Sequence, residues 1–219
     1  PPLKEIKELL PEKVLFVCDG AQGAGHIPID IKRTGIDALA IAGHKGMMGI
    51  QGSGALLFSE RINPRPVMFG GTGSESISLD MPDFYPDALE AGTLAFPAIS
   101  SLLEGAGYLS GRGESIGKEL LSMTEYFLDG LKKLSSFRAY SVPNPCGIAA
   151  FGHRDVQSEF LAQELSENYS VAVRGGLHCA PLMHRALKTE EDGLVRVSFS
   201  PFNRKREIDV LLSALKKMN

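Results

Sequence analysis

Cysteine is scarce in this 219-residue chain: Cys18, Cys146 and Cys179 are all it has. An odd count at wide spacing argues against a disulfide framework and leaves a reducing cytoplasm as the expected location. Any cysteine with chemistry to do then works as a thiol. Long apolar runs are missing as well. None reaches the roughly 18–20 residues of a membrane helix. The opening PPLKEIKELLPEK is charged and amphipathic and does not read as a signal peptide. Nor is there an excess of positive charge. With 23 basic and 26 acidic residues the formal charge is −3, which gives no footprint for nucleic acid or for a polybasic membrane contact. What is present is a 43% apolar composition, enough for a packed core, and a length that suits one large domain or two small ones.

The apolar pattern predicts an α/β organisation. Leu3, Ile6 and Leu10 space a short helix that Pro11 ends. Val14–Cys18 is a continuous apolar run of the kind buried on both faces of a parallel sheet, closed by Asp19-Gly20. Ala38–Ala42 is a second run, closed by Gly43-His44-Lys45, and Gly54–Phe58 is a third. Gly70–Ser74 reads as a flexible loop. Helical periodicity starts at Phe96-Pro97 and runs to about Leu134, with Gly105, Gly107, Gly111 and Gly113 marking a bend or break. Beyond Ser135, strands are expected at 146–151, 171–174 and 194–199, and helices at 156–168 and 207–218. The chain therefore divides into residues 1–110, part of a larger domain, and residues 111–219, a smaller α+β domain. No internal repeat or low-complexity tract is present.

Two of the predicted strands deliver polar residues at their C-terminal ends, the edge where open α/β sheets bind ligands. Lys45 lies just past one of them. A lysine there, desolvated, offers a free amine for a Schiff base, although alone it reads as an ordinary loop lysine. Asp19 ends the neighbouring run and Gln22 follows it. An Asp before Gly is a common turn-former, but that role does not account for the acid, the amide and the His-Lys pair together. An acid at the pyridine nitrogen and a donor near the ring oxygen are what pyridoxal 5'-phosphate (PLP) requires of its protein.

CDGAQ at 18–22 followed by AGHKG at 42–46 resembles the class V aminotransferases and, within them, the cysteine desulfurases. GGTGSES at 70–76, EAGT at 90–93, VRGGLHCAP at 173–181, and VRVSF at 195–199 followed by FN and EID sit in family order. Each motif alone is weak; in order they make a specific match. The resemblance implies the type I PLP-dependent transferase fold. The chain would comprise part of the large, mostly parallel-sheet domain and then a small α+β domain. It implies that Lys45 carries the cofactor, Asp19 pairs with the pyridine nitrogen, Gln22 sits near the phenolic oxygen and His44 binds phosphate. Thr72 matches the residue that reaches the phosphate held by the partner subunit, which implies a homodimer. Arg196 matches the arginine that holds the substrate carboxylate, a role that suits a planar bidentate donor. Cys179 matches the cysteine that receives sulfur as a persulfide.

The residues around Cys179 support that last role. A free cysteine is by default a small buried hydrophobe, the reading given to Cys18 and Cys146. Cys179 lies instead in a glycine-rich loop with Arg174 and His178 close in sequence, and cationic neighbours favour thiolates. His178, Cys179 and His184 fit no strong zinc spacing, so no metal site is expected. His26, His153 and His184 read as surface or packing histidines, and Glu90 and Thr93 receive no role. The expected activity is removal of sulfur from L-cysteine to give alanine and a persulfide that passes to an acceptor protein. Selenocysteine lyase activity or another class V reaction remains an alternative, although Cys179 argues against a reaction that needs no sulfur carrier. Two departures from the family pattern stand out: Ala42 replaces a phosphate-binding Ser or Thr, and Ile50 a common proline. Family members also carry a long segment before the position of Pro1. The chain is thus expected to be the C-terminal portion of a desulfurase-like protein, with a non-catalytic dimerisation or interaction module as the alternative.

Overall fold

The computed structural model describes residues 2–219. The chain divides into two compact units, residues 1–113 and 114–219. In the first, helix α1 (Leu3–Leu9) precedes strand β1 (Val17–Asp19), a single-turn helix α2 (Ile31–Thr34), β2 (Ala38–Ala42) and β3 (Gly54–Phe58). A short 3-10 helix at Asp87–Leu89 and helix α3 (Phe96–Leu109) complete it. The strands form a sheet in the order β1-β2-β3. β1 runs parallel to β2 with Asp19 opposite Ala40, and β3 returns antiparallel.

The runs at 38–42 and 54–58 both become strands, but β3 is largely exposed, with Leu56 at 49% and Leu57 at 41%, and β1 is shorter and more open than expected. The ladder begins only at Val17, because the Phe16 amide is taken by the Asp37 carboxylate at 2.7 Å instead of a backbone carbonyl. Val17 is 62% exposed and Leu15 49%, so β1 is not buried on both faces. No described element covers that surface. The core of this unit rests on small groups, Ala24, Ala38, Leu39, Ala88 and Ala98 with Ile36. It is pinned by one buried charge. Asp37, 2% exposed, accepts from the Phe16 amide at 2.7 Å and from Arg61 Nη1 at 2.9 Å, with Lys7 Nζ at 3.4 Å. One carboxylate thus ties α1, the entry to β1 and the exit from β3. The Phe16 amide does most to hold its pKa below the ordinary carboxylate value, the Arg61 and Lys7 charges add to this, and burial opposes them.

The second unit contains α4 (Gly113–Leu131), β4 (Phe137–Ala139), β5 (Ile148–His153), α5 (Ser158–Tyr169), α6 (Pro181–Leu187), β6 (Val195–Ser198) and α7 (Lys205–Lys217). The long helical pattern that starts at Phe96 does break: α3 and α4 are separated at Gly111, which adopts φ 74°. Gly105 and Gly107, by contrast, stay inside α3. β4, β5 and β6 form an antiparallel sheet in that order. Phe127 and Phe151 are fully buried with ring centroids 5.7 Å apart, and Phe199 packs 5.8 Å from Phe127. Complete burial of such a side chain stabilises by about 2–3 kcal/mol. The strand expected at 171–174 does not form. Only Arg174 pairs, as an isolated antiparallel bridge with Arg196. Among the described residues no helix is long and apolar enough to cross a membrane.

Candidate functional site

In the first unit, the parallel β1–β2 pair sends two loops off its C-terminal edge. The first, residues 20–27, follows Asp19 at the end of β1 and carries Gln22. Asp19 Oδ1 accepts from the Ala21 amide at 2.9 Å, which turns the chain out of the strand. The Gly20 amide still donates to the Ala40 carbonyl at 2.8 Å, so the loop leaves in register with β2. The second loop, residues 43–49, carries His44 and Lys45. It is closed by Met48 N to Lys45 O at 2.9 Å and Gly49 N to Gly43 O at 2.7 Å.

The two loops interlock through glycines. A Cβ on Gly25, which has φ 83°, would overlap the Gly46 carbonyl, and one on Gly46 would overlap the Ala24 carbonyl. His26 lies against Gly46 as well, and burial lowers its pKa. Helix α3 backs the Lys45 loop. Gly105 lets its backbone approach the Met47 carbonyl, and Ser101 Oγ accepts from the Ile50 amide at 2.9 Å.

Lys45, His44, Gln22 and Asp19 are all exposed on this edge. Among the described residues, Lys45 Nζ has no ion-pair partner, and the only group that donates to the Asp19 carboxylate is the Ala21 amide. An acid, an amide, an imidazole and an amine thus leave one sheet edge without neutralising one another. Thr72 is not part of this group. Its Oγ1 lies 2.8 Å from Ser74 Oγ, and it lines a cavity of about 800 Å³ with Arg65, Phe69 and Tyr85.

In the second unit Arg196, half-buried, occupies the centre of β6, where its guanidinium Nε donates to Ser198 Oγ at 3.1 Å. The Arg174–Arg196 bridge, with N to O distances of 3.1 and 2.7 Å, fixes the start of the loop that leads to Cys179. Cys179 is exposed, and Arg174 Nη2 lies 3.6 Å from its sulfur. His178 and Cys179 both adopt left-handed backbone, φ 53° and 59°. His178 Nε2 is 3.0 Å from the Arg174 carbonyl, so Nε2 carries the proton. Burial lowers the His178 pKa; the bond to Arg174 opposes this, and the charges of Arg196, His184 and Arg174 reinforce it.

His184, read from sequence as surface or packing, is buried at 3% exposure. Its Nδ1 lies 2.9 Å from Thr189 Oγ1, and its ring lies tilted at 60° to that of His178 with centroids 5.7 Å apart. A histidine five residues past the cysteine gave no periodic signal, and helix α6, which carries it, was not predicted. Among the described residues no cluster of three His, Cys, Asp or Glu side chains could hold a metal.

The sequence profile of the family described as aminotransferase class-V matches residues 1–211. The chain belongs to that family. Among class V relatives it is 32% identical over 212 residues to a probable cysteine desulfurase of Methanothermobacter thermautotrophicus, covering 93% of this chain and 53% of that protein. It is 33% identical over 211 residues to the cysteine desulfurase CsdA of Escherichia coli, covering 92% and 50%. The apo structure of a cysteine desulfurase from Thermococcus onnurineus superposes with a TM-score of 0.80 at 30% identity, over 94% of this chain and 53% of that one. The crystal structure of the E. coli enzyme gives 0.77 at 28%, over 93% and 51%. The chain spans about half the length of these class V relatives. The α/β fold is that of the PLP-dependent cysteine desulfurases over the part it covers.

Proposed function

We propose that this chain carries the lysine, the cofactor-holding side chains and the sulfur acceptor of a PLP-dependent cysteine desulfurase. The observation that supports it most is the set of exposed side chains on the β1–β2 edge that do not neutralise one another. An exposed carboxylate, an amide, an imidazole and an amine fit a ligand with a basic ring nitrogen, a ring oxygen, a phosphate and an aldehyde. Lys45 Nζ would attach the cofactor, Asp19 would hold a proton at its ring nitrogen, Gln22 would donate to its ring oxygen and His44 to its phosphate. Thr72 would reach the phosphate bound by a second copy, which makes the enzyme a homodimer. When bound, PLP supplies an electron sink for charge that develops at the substrate Cα.

The chain's own residues do the rest. Arg196 binds the carboxylate of L-cysteine through two N–H donors. Lys45, once its amine is free, moves the Cα proton as a general base and acid. The Cys179 thiolate attacks the substrate sulfur, and the substrate Cβ–S bond breaks. Sulfur stays on Cys179 as a persulfide, alanine leaves, and an acceptor protein collects the sulfur. The same groups serve selenocysteine equally well.

The test is incubation of the PLP-treated chain with L-cysteine, followed by mass spectrometry of the Cys179 peptide and an alanine assay. Persulfide on Cys179, lost in Cys179→Ser and in Lys45→Ala, is expected. Alanine formed at an unchanged rate by Cys179→Ser would overturn the sulfur-acceptor role.

A further inference from the structure

Arg174 does more than begin the Cys179 loop. Its backbone N–H and C=O are both spent on Arg196, so the residue is anchored to β6. The same carbonyl also takes the His178 Nε2 proton. The guanidinium then reaches across the turn, five residues on, to the Cys179 sulfur at 3.6 Å. Two consecutive non-glycine residues in left-handed backbone, His178 and Cys179, cost roughly 1–2 kcal/mol each. Such a conformation persists only where its surroundings over-determine it. Here the determinants are visible: the Arg174 carbonyl on one side of the turn, Ala180 N to Leu177 O at 2.9 Å across it, and the buried His184 ring behind His178. The strain is held in the one place that aims this sulfur at this guanidinium.

We propose that Arg174 is the positioning residue of the sulfur acceptor: it holds Cys179 at a fixed place in its loop and stabilises negative charge on its sulfur, as thiolate and as persulfide. Arg174 is not an ion-pair partner of any carboxylate among the described residues, so its charge is available to the sulfur. A guanidinium keeps its charge at every working pH and donates in a fixed plane, which suits a soft anion that must wait in one position. The functional meaning rests on the desulfurase reading of Cys179; the contact itself does not.

The experiment uses the full chain and its Arg174→Gln and Arg174→Lys variants. Alkylation of Cys179 by iodoacetamide at pH 7 is followed by peptide mass spectrometry, at low salt and at 0.5 M salt, where the Debye length falls to about 4 Å. Arg174→Gln is expected to slow alkylation about tenfold and to remove its dependence on salt, and Arg174→Lys to recover a large part of the rate. A merely structural arginine moves the rate the other way, because loosening the turn exposes the thiol further. Alkylation of Arg174→Gln at the original rate or faster would overturn the proposal. Uptake of PLP at Lys45, measured on the same samples, reports on the other unit. Its failure would count against the desulfurase reading and leave the arginine–sulfur result standing.

Discussion

Helix α3 carries two glycines, two positions apart, that should respond to the same substitution with opposite sign. Gly107 is exposed and nothing lies within 4 Å of a Cβ built there. Gly107→Ala should therefore return the ordinary helix gain of about 0.5–1 kcal/mol. Gly105 is buried, and its Cβ would come closer than 3.0 Å to the Met47 carbonyl oxygen. That atom is backbone and cannot rotate away, so α3 or the 43–49 loop must move. Overpacking of this kind costs about 1–3 kcal/mol. Set against the same helix gain, Gly105→Ala should be destabilising by up to about 2 kcal/mol. The helix gain is common to both, so the two variants should differ by the overpacking cost, roughly 1–3 kcal/mol. Native-state hydrogen exchange of the amides at 96–109 reads the difference element by element. Exchange should slow in Gly107→Ala and quicken in Gly105→Ala. The displaced loop carries Lys45, so Gly105→Ala should also lower PLP uptake while Gly107→Ala leaves it alone. If Gly105→Ala protected α3 as well as Gly107→Ala does, the claim that α3 clamps the Lys45 loop would fail.

Asp37→Asn removes the charge that ties α1, β1 and the exit from β3 together, and leaves Arg61 and Lys7 facing a neutral buried group. A loss of about 3 kcal/mol at pH 7 is expected in denaturant unfolding of the first unit. The same carboxylate predicts a pH dependence. Its folded pKa is depressed, so its contribution is complete above the unfolded value of about 3.9 and is lost as pH falls through the lower folded value. The gap between the original chain and Asp37→Asn should close below about pH 4. A gap that stays constant down to pH 2 would show that the charge is not what stabilises.

How far the sequence carries depends on whether the signal is local. β2 and β3 are apolar runs bounded by glycine, and nothing in the tertiary structure competes for their ends. β1 loses its first residues because the buried Asp37 carboxylate claims the Phe16 amide, a contact 21 residues distant. Val171–Val173 has β-branched character but finds no ladder partner; only Arg174 reaches β6. Helix α6 was hidden because it opens on Pro181 directly after a loop in left-handed backbone.

The candidate site divides in the same way. Asp19, Gln22, His44 and Lys45 stand at strand ends, which periodicity locates. The interlock of Gly25 with Gly46 and the approach of Gly105 to Met47 join segments with no shared pattern. His184 behind His178, and Arg174 against the Cys179 sulfur, depend on two left-handed residues that no propensity rule predicts at His and Cys.

The proposed function stands on the β1–β2 edge as a PLP site built on Lys45. The direct measurement is an absorbance spectrum of the purified chain with PLP, before and after borohydride, with the modified peptide mapped by mass spectrometry. A visible band that borohydride abolishes is expected, with the reduced cofactor fixed on Lys45 and none in Lys45→Ala. A band that survives in Lys45→Ala, or label spread over other lysines, would contradict it.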